Sequence, residues 1–289
     1  MATETASFGA GKRESHDASA FYRRRMVGVP EAAPGLSEPV TPPAGIIDRL
    51  FCGSSELMSE IPDDCVSLMV TSPPYNVGKE YDDDLSLDEY LGLLGRVLAE
   101  TYRVLEPGGR VAINVANLGR KPYLALNHRV ASLLEDLGFL LRGEIVWQKA
   151  AGAGGSCAWG SWRSAKNPTL RDVHEYVVVA SKGSFRRARI GEDTIGREEF
   201  LEATVSVWSI APASARRVGH PAPFPVELPR RLIELYTFLG DLVLDPFIGS
   251  GSTAVAAVES GRHFVGYDTE PAYLEIAAER VAEAGRRLR

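Results

Sequence analysis

The sequence predicts an α/β fold, a mostly parallel sheet with helices on both faces, joined by a smaller insertion. Three observations carry this. From Ile46 onward short apolar runs alternate with amphipathic stretches. Glycine-containing turns fall where strand-like text passes into helix-like text. The alternation degrades between 150 and 219 and then resumes. Strands alternating with helices need crossover connections, and crossovers build parallel sheets.

In chain order, VSLMV (66–70) reads as a strand, and YLGLLGRVLAETYRVL (90–105) as a helix with apolar residues three and four apart. GGRVAINVAN (108–117) is a turn plus a strand, LALNHRVASLLEDLGF (124–139) a helix stopped at Gly138, and GEIVWQK (143–149) a strand. HEYVVVASKG (174–183) is a strand and turn, set between a Gly-, Ser- and Trp-containing loop and the charged, irregular SFRRARIGEDTIGREEF. The pattern returns with a helix (226–238), a strand (241–245), a helix (253–261), a strand (263–268) and a final helix (271–288). Residues 1–45, rich in Pro, Ala and Gly, read as an N-terminal arm, and residues 46–289 as the main domain, with 150–219 inserted in it. Within the arm, AFYRRRM (20–26) is a basic patch that suits either a helical tether or a phosphate contact.

The 289 residues are 45% hydrophobic and 24% charged, the balance of a globular chain that buries a core. A net charge of -6 requires any polyanion to be met by a local basic face. Three cysteines make no disulfide framework and no metal-ligand spacing, which fits a reducing cytoplasm, and no metal is implied. The first residues have no apolar targeting core, and no 18 apolar residues run together.

LVLDPFIGSGSTAVAAVESGRHFVGYD reads as strand, Gly-rich turn, helix, and a second strand ending in an acid. In a doubly wound sheet such a turn lies at the carboxyl ends of the strands, where nucleotide-like ligands bind. Gly249 and Gly251 would let the backbone approach the ligand, and Asp268 would accept hydrogen bonds from ribose hydroxyls. Asp245 ends the first strand, and a carboxylate there would repel a pyrophosphate by roughly 4 kcal/mol per charge pair at an effective dielectric of 20. S-adenosylmethionine has an adenosine, no phosphate, and a cationic ammonium and sulfonium that the acid would attract. The bland alternative is that Asp245 caps the next helix and the glycines make a turn.

VSLMVTSPPYN puts Ser72, Pro73, Pro74 and Tyr75 directly after an apolar strand. Ser72 and Pro73 both precede a proline, which pushes them into extended geometry, and neither proline has a backbone N–H. The result is a rigid loop offering the Ser72 hydroxyl and the Pro73 carbonyl as acceptors beside an aromatic ring. Methylation of an exocyclic amino group needs this, because its lone pair is delocalised into the ring until acceptors on its hydrogens aim it at the methyl. A base inside a duplex must be flipped out, and Tyr75 can stack on it. A polyproline II ligand or a plain Pro-Pro turn is the structural alternative.

At these residues the chain resembles the amino-methylating DNA methyltransferases of bacterial modification systems, in the permuted arrangement where the catalytic motif precedes the cofactor loop. The likeness runs from about residue 47 to the C-terminus, with [DNS]-P-P-[YFW] at Ser72–Tyr75 and D-P-F-x-G-x-G-[ST] at Asp245–Ser252. It implies a Rossmann-like AdoMet-dependent methyltransferase fold with S-adenosylmethionine as cofactor. Cofactor contacts are implied for Asp245, Pro246, Phe247, Gly249, Gly251, Ser252, Thr253 and Asp268, and for Phe224 in the segment before the loop. S-P-P-Y in this family most often marks cytosine N4 methylation, with adenine N6 as the alternative. Two departures stand out: Cys52-Gly53-Ser54-Ser55 lacks the Asp of the family's Gly-Asp pair, and Phe224-Pro225 replaces Lys-Pro.

The implied partners are duplex DNA and, in a restriction-modification system, a cognate restriction endonuclease; a solitary modifier is the other setting. The implied protein is a monomer or homodimer in a bacterial cytoplasm, associated with the nucleoid. The 150–219 insertion is the candidate for target recognition, its DNA contacts expected from Arg163, Lys166, Arg171, Arg186, Arg187, Arg216 and Arg217, interleaved with Trp159, Trp162, Phe185 and Trp208. Trp208 also suits core packing, and His174 and Glu175 suit structural hydrogen bonding. Cytosine C5 chemistry needs a cysteine nucleophile, usually after proline, whereas Cys52, Cys65 and Cys157 follow Phe, Asp and Ser. An RNA methyltransferase and a catalytically silent DNA-binding module are the rival classes.

Overall fold

Val66–Thr71 is the strand around which the sheet is built, and all six of its residues are buried, as a strand covered on both faces requires. The computed structural model describes residues 38–74, 85–118, 122–149, 160–161, 163–170, 172–213 and 224–288. Its strands are β1 (Arg49–Cys52), β2 (Val66–Thr71), β3 (Leu105–Val115), β4 (Phe139–Lys149), β5 (His174–Lys182), β6 (Val207–Ile210), β7 (Leu242–Asp245) and β8 (His263–Asp268). They form one sheet in the order β1-β8-β7-β2-β3-β5-β4-β6. Pairing is parallel from β1 through β3; β5 runs antiparallel to both β3 and β4, and β6 is parallel to β4. Every described strand except β5 therefore ends at one edge of the sheet, where β5 begins.

The helices are α1 (Leu87–Val104), α2 (Leu126–Asp136), α3 (Arg197–Ala203), α4 (Glu227–Tyr236), α5 (Ser252–Glu259) and α6 (Pro271–Arg287). Ser86 starts α1 through a capping box: its hydroxyl accepts from Glu89 N, and the Glu89 carboxylate accepts from Ser86 N. Alternate strand residues serve opposite faces. Met69, Val111, Ile113 and Val178 pack with Leu94, Val97 and Leu98 of α1 and with Leu134 of α2. Leu68, Val70, Ala112 and Val177 pack with Leu232 of α4, Ala256 of α5 and the fully buried Trp208.

The segment expected to interrupt the sheet contributes to it. The nine-residue β5 lies between β3 and β4, and β6 closes the edge. The apolar run of β5 is legible as a strand, but nothing local indicates its reversed direction or its central place. Strand β1, the short α3 and β6 carry too little periodicity to stand out from loop. The arm expected over 1–45 falls outside the described residues up to 37; from there, Val40 N donates to Asp64 O.

The expected DNA contact of Arg187 is corrected by the structure. Its side chain is 7% exposed, paired to Glu106 Oε1 at 2.5 Å and Asp241 Oδ2 at 2.6 Å, with Ser67 Oγ at 3.0 Å. These partners lie at the starts of β3, β7 and β2, so Arg187 ties three strands together at the amino edge. Arg186 is exposed on the same turn, whose backbone packs so closely on Gly108 that a Cβ there would lie 2.1 Å from Arg186 O. Both arginines thus sit at the edge away from the strand ends that carry Ser72 and Asp245.

Candidate active site

Ser72 follows β2 and Asp245 ends the neighbouring β7, with Met69 opposite Leu244 in register. The two segments singled out in the sequence, distant along the chain, therefore meet at one sheet edge. Thr71 Oγ1 donates to Asp245 Oδ1 at 2.6 Å, Phe247 N to the same oxygen at 3.0 Å, and Thr253 Oγ1 to Asp245 Oδ2 at 2.6 Å. Asp245 is 1% exposed. Burial pushes its carboxyl up to about 6, against these hydrogen bonds. The expected direct attraction of a cationic ligand by Asp245 is accordingly corrected: its oxygens are engaged inside the protein, where the residue, with Thr253, joins the catalytic strand to the Gly-rich turn.

The turn itself is fixed from behind. Gly251 has φ +81°, and a Cβ there would stand 2.8 Å from the Cβ of Ala277 on α6. Its glycine answers to packing and left-handed backbone, rather than to close approach of a ligand. Arg280, also on α6, donates to Ser250 O and to the Ser250 hydroxyl at 3.1 Å, with Ser252 Oγ at 3.5 Å. Ser55 Oγ donates to Pro246 O at 2.8 Å and is 4% exposed. Neither Arg280 nor Ser55 is marked in the sequence, since only the fold brings them to the turn.

Asp268 ends β8 and is half-buried; its Oδ2 accepts from Gly249 N and its Oδ1 from Glu270 N, each at 2.9 Å. Burial raises its carboxyl pKa. Each oxygen keeps a second acceptor position. Gly53 N donates to Asp268 O at 2.9 Å, and a Cβ on Gly53 would meet nothing within 4 Å, so space is open beside this acid. Phe224 and Phe247 are partly buried, packed on opposite core clusters.

In the catalytic loop Ser72 and Pro74 are half-buried and Pro73 is buried, the latter against a small apolar cavity lined also by Met69, Leu98, Ile113 and Phe247. Tyr75 lies outside the described residues. Asn114 Nδ2 of β3 donates to Ser72 Oγ at 3.3 Å and to Glu175 Oε2 of β5 at 2.7 Å. Glu175 is in turn paired with Lys149 of β4, Nζ to Oε1 at 2.5 Å. No motif marks Asn114 in the sequence. Arg163 and Lys166 lie in the connection from β4 to β5, which leaves and rejoins the sheet at this same edge, and both are exposed. Arg171, Arg216 and Arg217, with Trp159 and Trp162, lie outside the described residues.

A rigid acceptor loop and a Gly-rich turn at adjoining carboxyl ends of a doubly wound sheet define the class: an enzyme that brings a nucleotide-like cofactor to a second substrate. The chain belongs to the N6/N4 DNA methylase family, whose profile matches residues 66–279. It is 30% identical over 272 residues to the type II methyltransferase M.MthZI of Methanothermobacter thermautotrophicus, covering 81% of this chain and 76% of that one. It is 27% identical to the DNA adenine methyltransferase YhdJ of Escherichia coli, over 78% of this chain and 79% of the relative. Among solved structures, a DNA modification methylase of Thermus thermophilus, TTHA0409, complexed with S-adenosyl-L-methionine, superposes with a TM-score of 0.67 at 29% identity, covering 82% of this chain and 95% of that one.

Proposed function

We propose that the chain transfers the methyl group of S-adenosylmethionine to the exocyclic N4 of cytosine in duplex DNA. The observation that carries this reading is the placing of Ser72, as the first residue after β2, beside the turn that links Asp245 to Asp268. The residues fit the cofactor. Asp268 keeps acceptor positions for ribose hydroxyls and faces open space at Gly53, and two acids on adjoining strand ends disfavour a pyrophosphate. Phe224, Pro246, Phe247, Gly249 and Ser252 would form the surrounding walls. When bound, the cofactor supplies an electrophilic methyl group on sulfur.

The protein's part is to orient the amino group. The Ser72 hydroxyl and the Pro73 carbonyl accept its two hydrogens, freeing the lone pair from the ring and aiming it. Pro73 and Pro74 keep the loop extended and present no N–H at either position. Tyr75 stacks on the base once it leaves the helix. Arg163, Lys166, Arg171, Arg216 and Arg217 are the proposed contacts to the DNA, in segments that depart from the catalytic edge. Adenine N6 is the second reading, supported by the likeness to YhdJ and by a hydroxyl that serves either amino group.

The experiment compares transfer of isotope-labelled methyl to duplex DNA of mixed sequence and to RNA. Incorporation into DNA is expected, and incorporation confined to RNA overturns the proposal.

A further inference from the structure

We infer that Asn114, held by the Glu175–Lys149 ion pair, is a positioning residue for the Ser72 hydroxyl. This inference rests on the proposed role of Ser72. Four side chains from adjoining segments form one chain of contacts: Ser72 after β2, Asn114 on β3, Glu175 on β5 and Lys149 at the end of β4. The distances are 3.3 Å from Asn114 Nδ2 to Ser72 Oγ, 2.7 Å from the same nitrogen to Glu175 Oε2, and 2.5 Å from Glu175 Oε1 to Lys149 Nζ.

The donors and acceptors can be arranged in one way. An ionised carboxylate only accepts, so the amide of Asn114 must turn its nitrogen toward Glu175. That nitrogen has two hydrogens, and the second points at Ser72 Oγ. Ser72 Oγ is thereby an acceptor on its inner side, and its own hydrogen is directed elsewhere. Asn114 is 1% exposed and Glu175 7%, so neither side chain has room to exchange these partners for water. A buried carboxylate is costly unless paired, and Lys149, whose side chain is 31% exposed, supplies the pairing from the outer side. Four polar side chains set beside the apolar face formed by Ile145, Trp147 and Val177 contribute little to burial of apolar surface. What they do fix is the direction of one hydroxyl at the catalytic edge. Asn114 acts through Ser72 and needs no contact with substrate.

A double-mutant cycle on the full chain tests this, with kcat for DNA methylation measured alongside S-adenosylmethionine binding by calorimetry. Ser72→Ala is expected to lower kcat about 100-fold or more. Asn114→Ala is expected to lower kcat about 10- to 100-fold with cofactor affinity within about twofold of the parent. The double variant is expected to match Ser72→Ala alone, because Asn114 has nothing left to position. Multiplying effects overturn the inference while leaving the role of Ser72 intact. Full activity of Ser72→Ala overturns that role itself. If Asn114→Ala does not fold, Lys149→Met releases Glu175 from its exposed end and goes through the same cycle: a match to Ser72→Ala in the double variant supports the inference, and multiplying effects overturn it.

Discussion

Thr71 and Asp245, 174 positions apart in the chain, are joined by a 2.6 Å hydrogen bond from Thr71 Oγ1 to Asp245 Oδ1. Thr71 immediately precedes the catalytic loop, and Asp245 immediately precedes the Gly-rich turn. The carboxylate also receives Thr253 at the start of α5. One buried acid thus sets the distance between the element proposed to hold the cofactor and the element proposed to hold the base.

The raised pKa of Asp245 makes this junction sensitive to pH. Its carboxyl moves from 3.8 to about 6 on folding, through burial, so between these values the folded state binds more protons than the unfolded one. Stability from this group is fully present below the unfolded value and is lost as pH rises through about 6. Asp245→Asn keeps the shape and removes the titration. Urea unfolding from pH 4 to 6.5 is expected to show the parent losing about 2–3 kcal/mol relative to Asp245→Asn across the window. Parallel stability curves contradict the assignment.

Gly251→Ala places a Cβ 2.8 Å from that of Ala277, in a backbone with φ +81°. A loss of about 2–4 kcal/mol is expected from left-handed strain and overpacking together, read as a lowered urea midpoint. Ser54→Ala, exposed in the loop after β1, is the control and is expected to leave the midpoint unchanged.

Arg187 and Lys166 separate structure from recognition. Arg187→Ala leaves the fully buried Glu106 and the buried Asp241 without this partner, and is expected to cost about 3–5 kcal/mol of stability. Lys166→Ala is expected to leave stability alone and to reduce the slope of log affinity against log salt by about one. A salt slope unchanged in Lys166→Ala, measured by fluorescence anisotropy on duplex DNA, removes that residue from the interface.

What is legible in the sequence follows from periodicity and from local stereochemistry. The strand bounds at His263–Asp268 match those expected residue for residue, and α4, α5 and α6 lie within a residue or two of them. Trp208, which suits core packing, is buried. The central position of β5 is hidden because strand order depends on pairing between distant segments. Arg187 is misassigned from sequence because a run of arginines carries no sign of which member turns inward to meet Glu106. Asp245 has the expected neighbourhood and a different contact: a carboxylate at a strand end looks the same in the sequence whether it faces a ligand or two threonines. Asn114 and Ser55 have no motif at all.

The central claim is that the Ser72 loop directs methyl transfer to cytosine N4. The most direct test is incubation with isotope-labelled S-adenosylmethionine and duplex DNA of mixed sequence, followed by digestion to nucleosides and mass spectrometry. Labelled N4-methyldeoxycytidine is the predicted product; labelled N6-methyldeoxyadenosine in its place contradicts the claim.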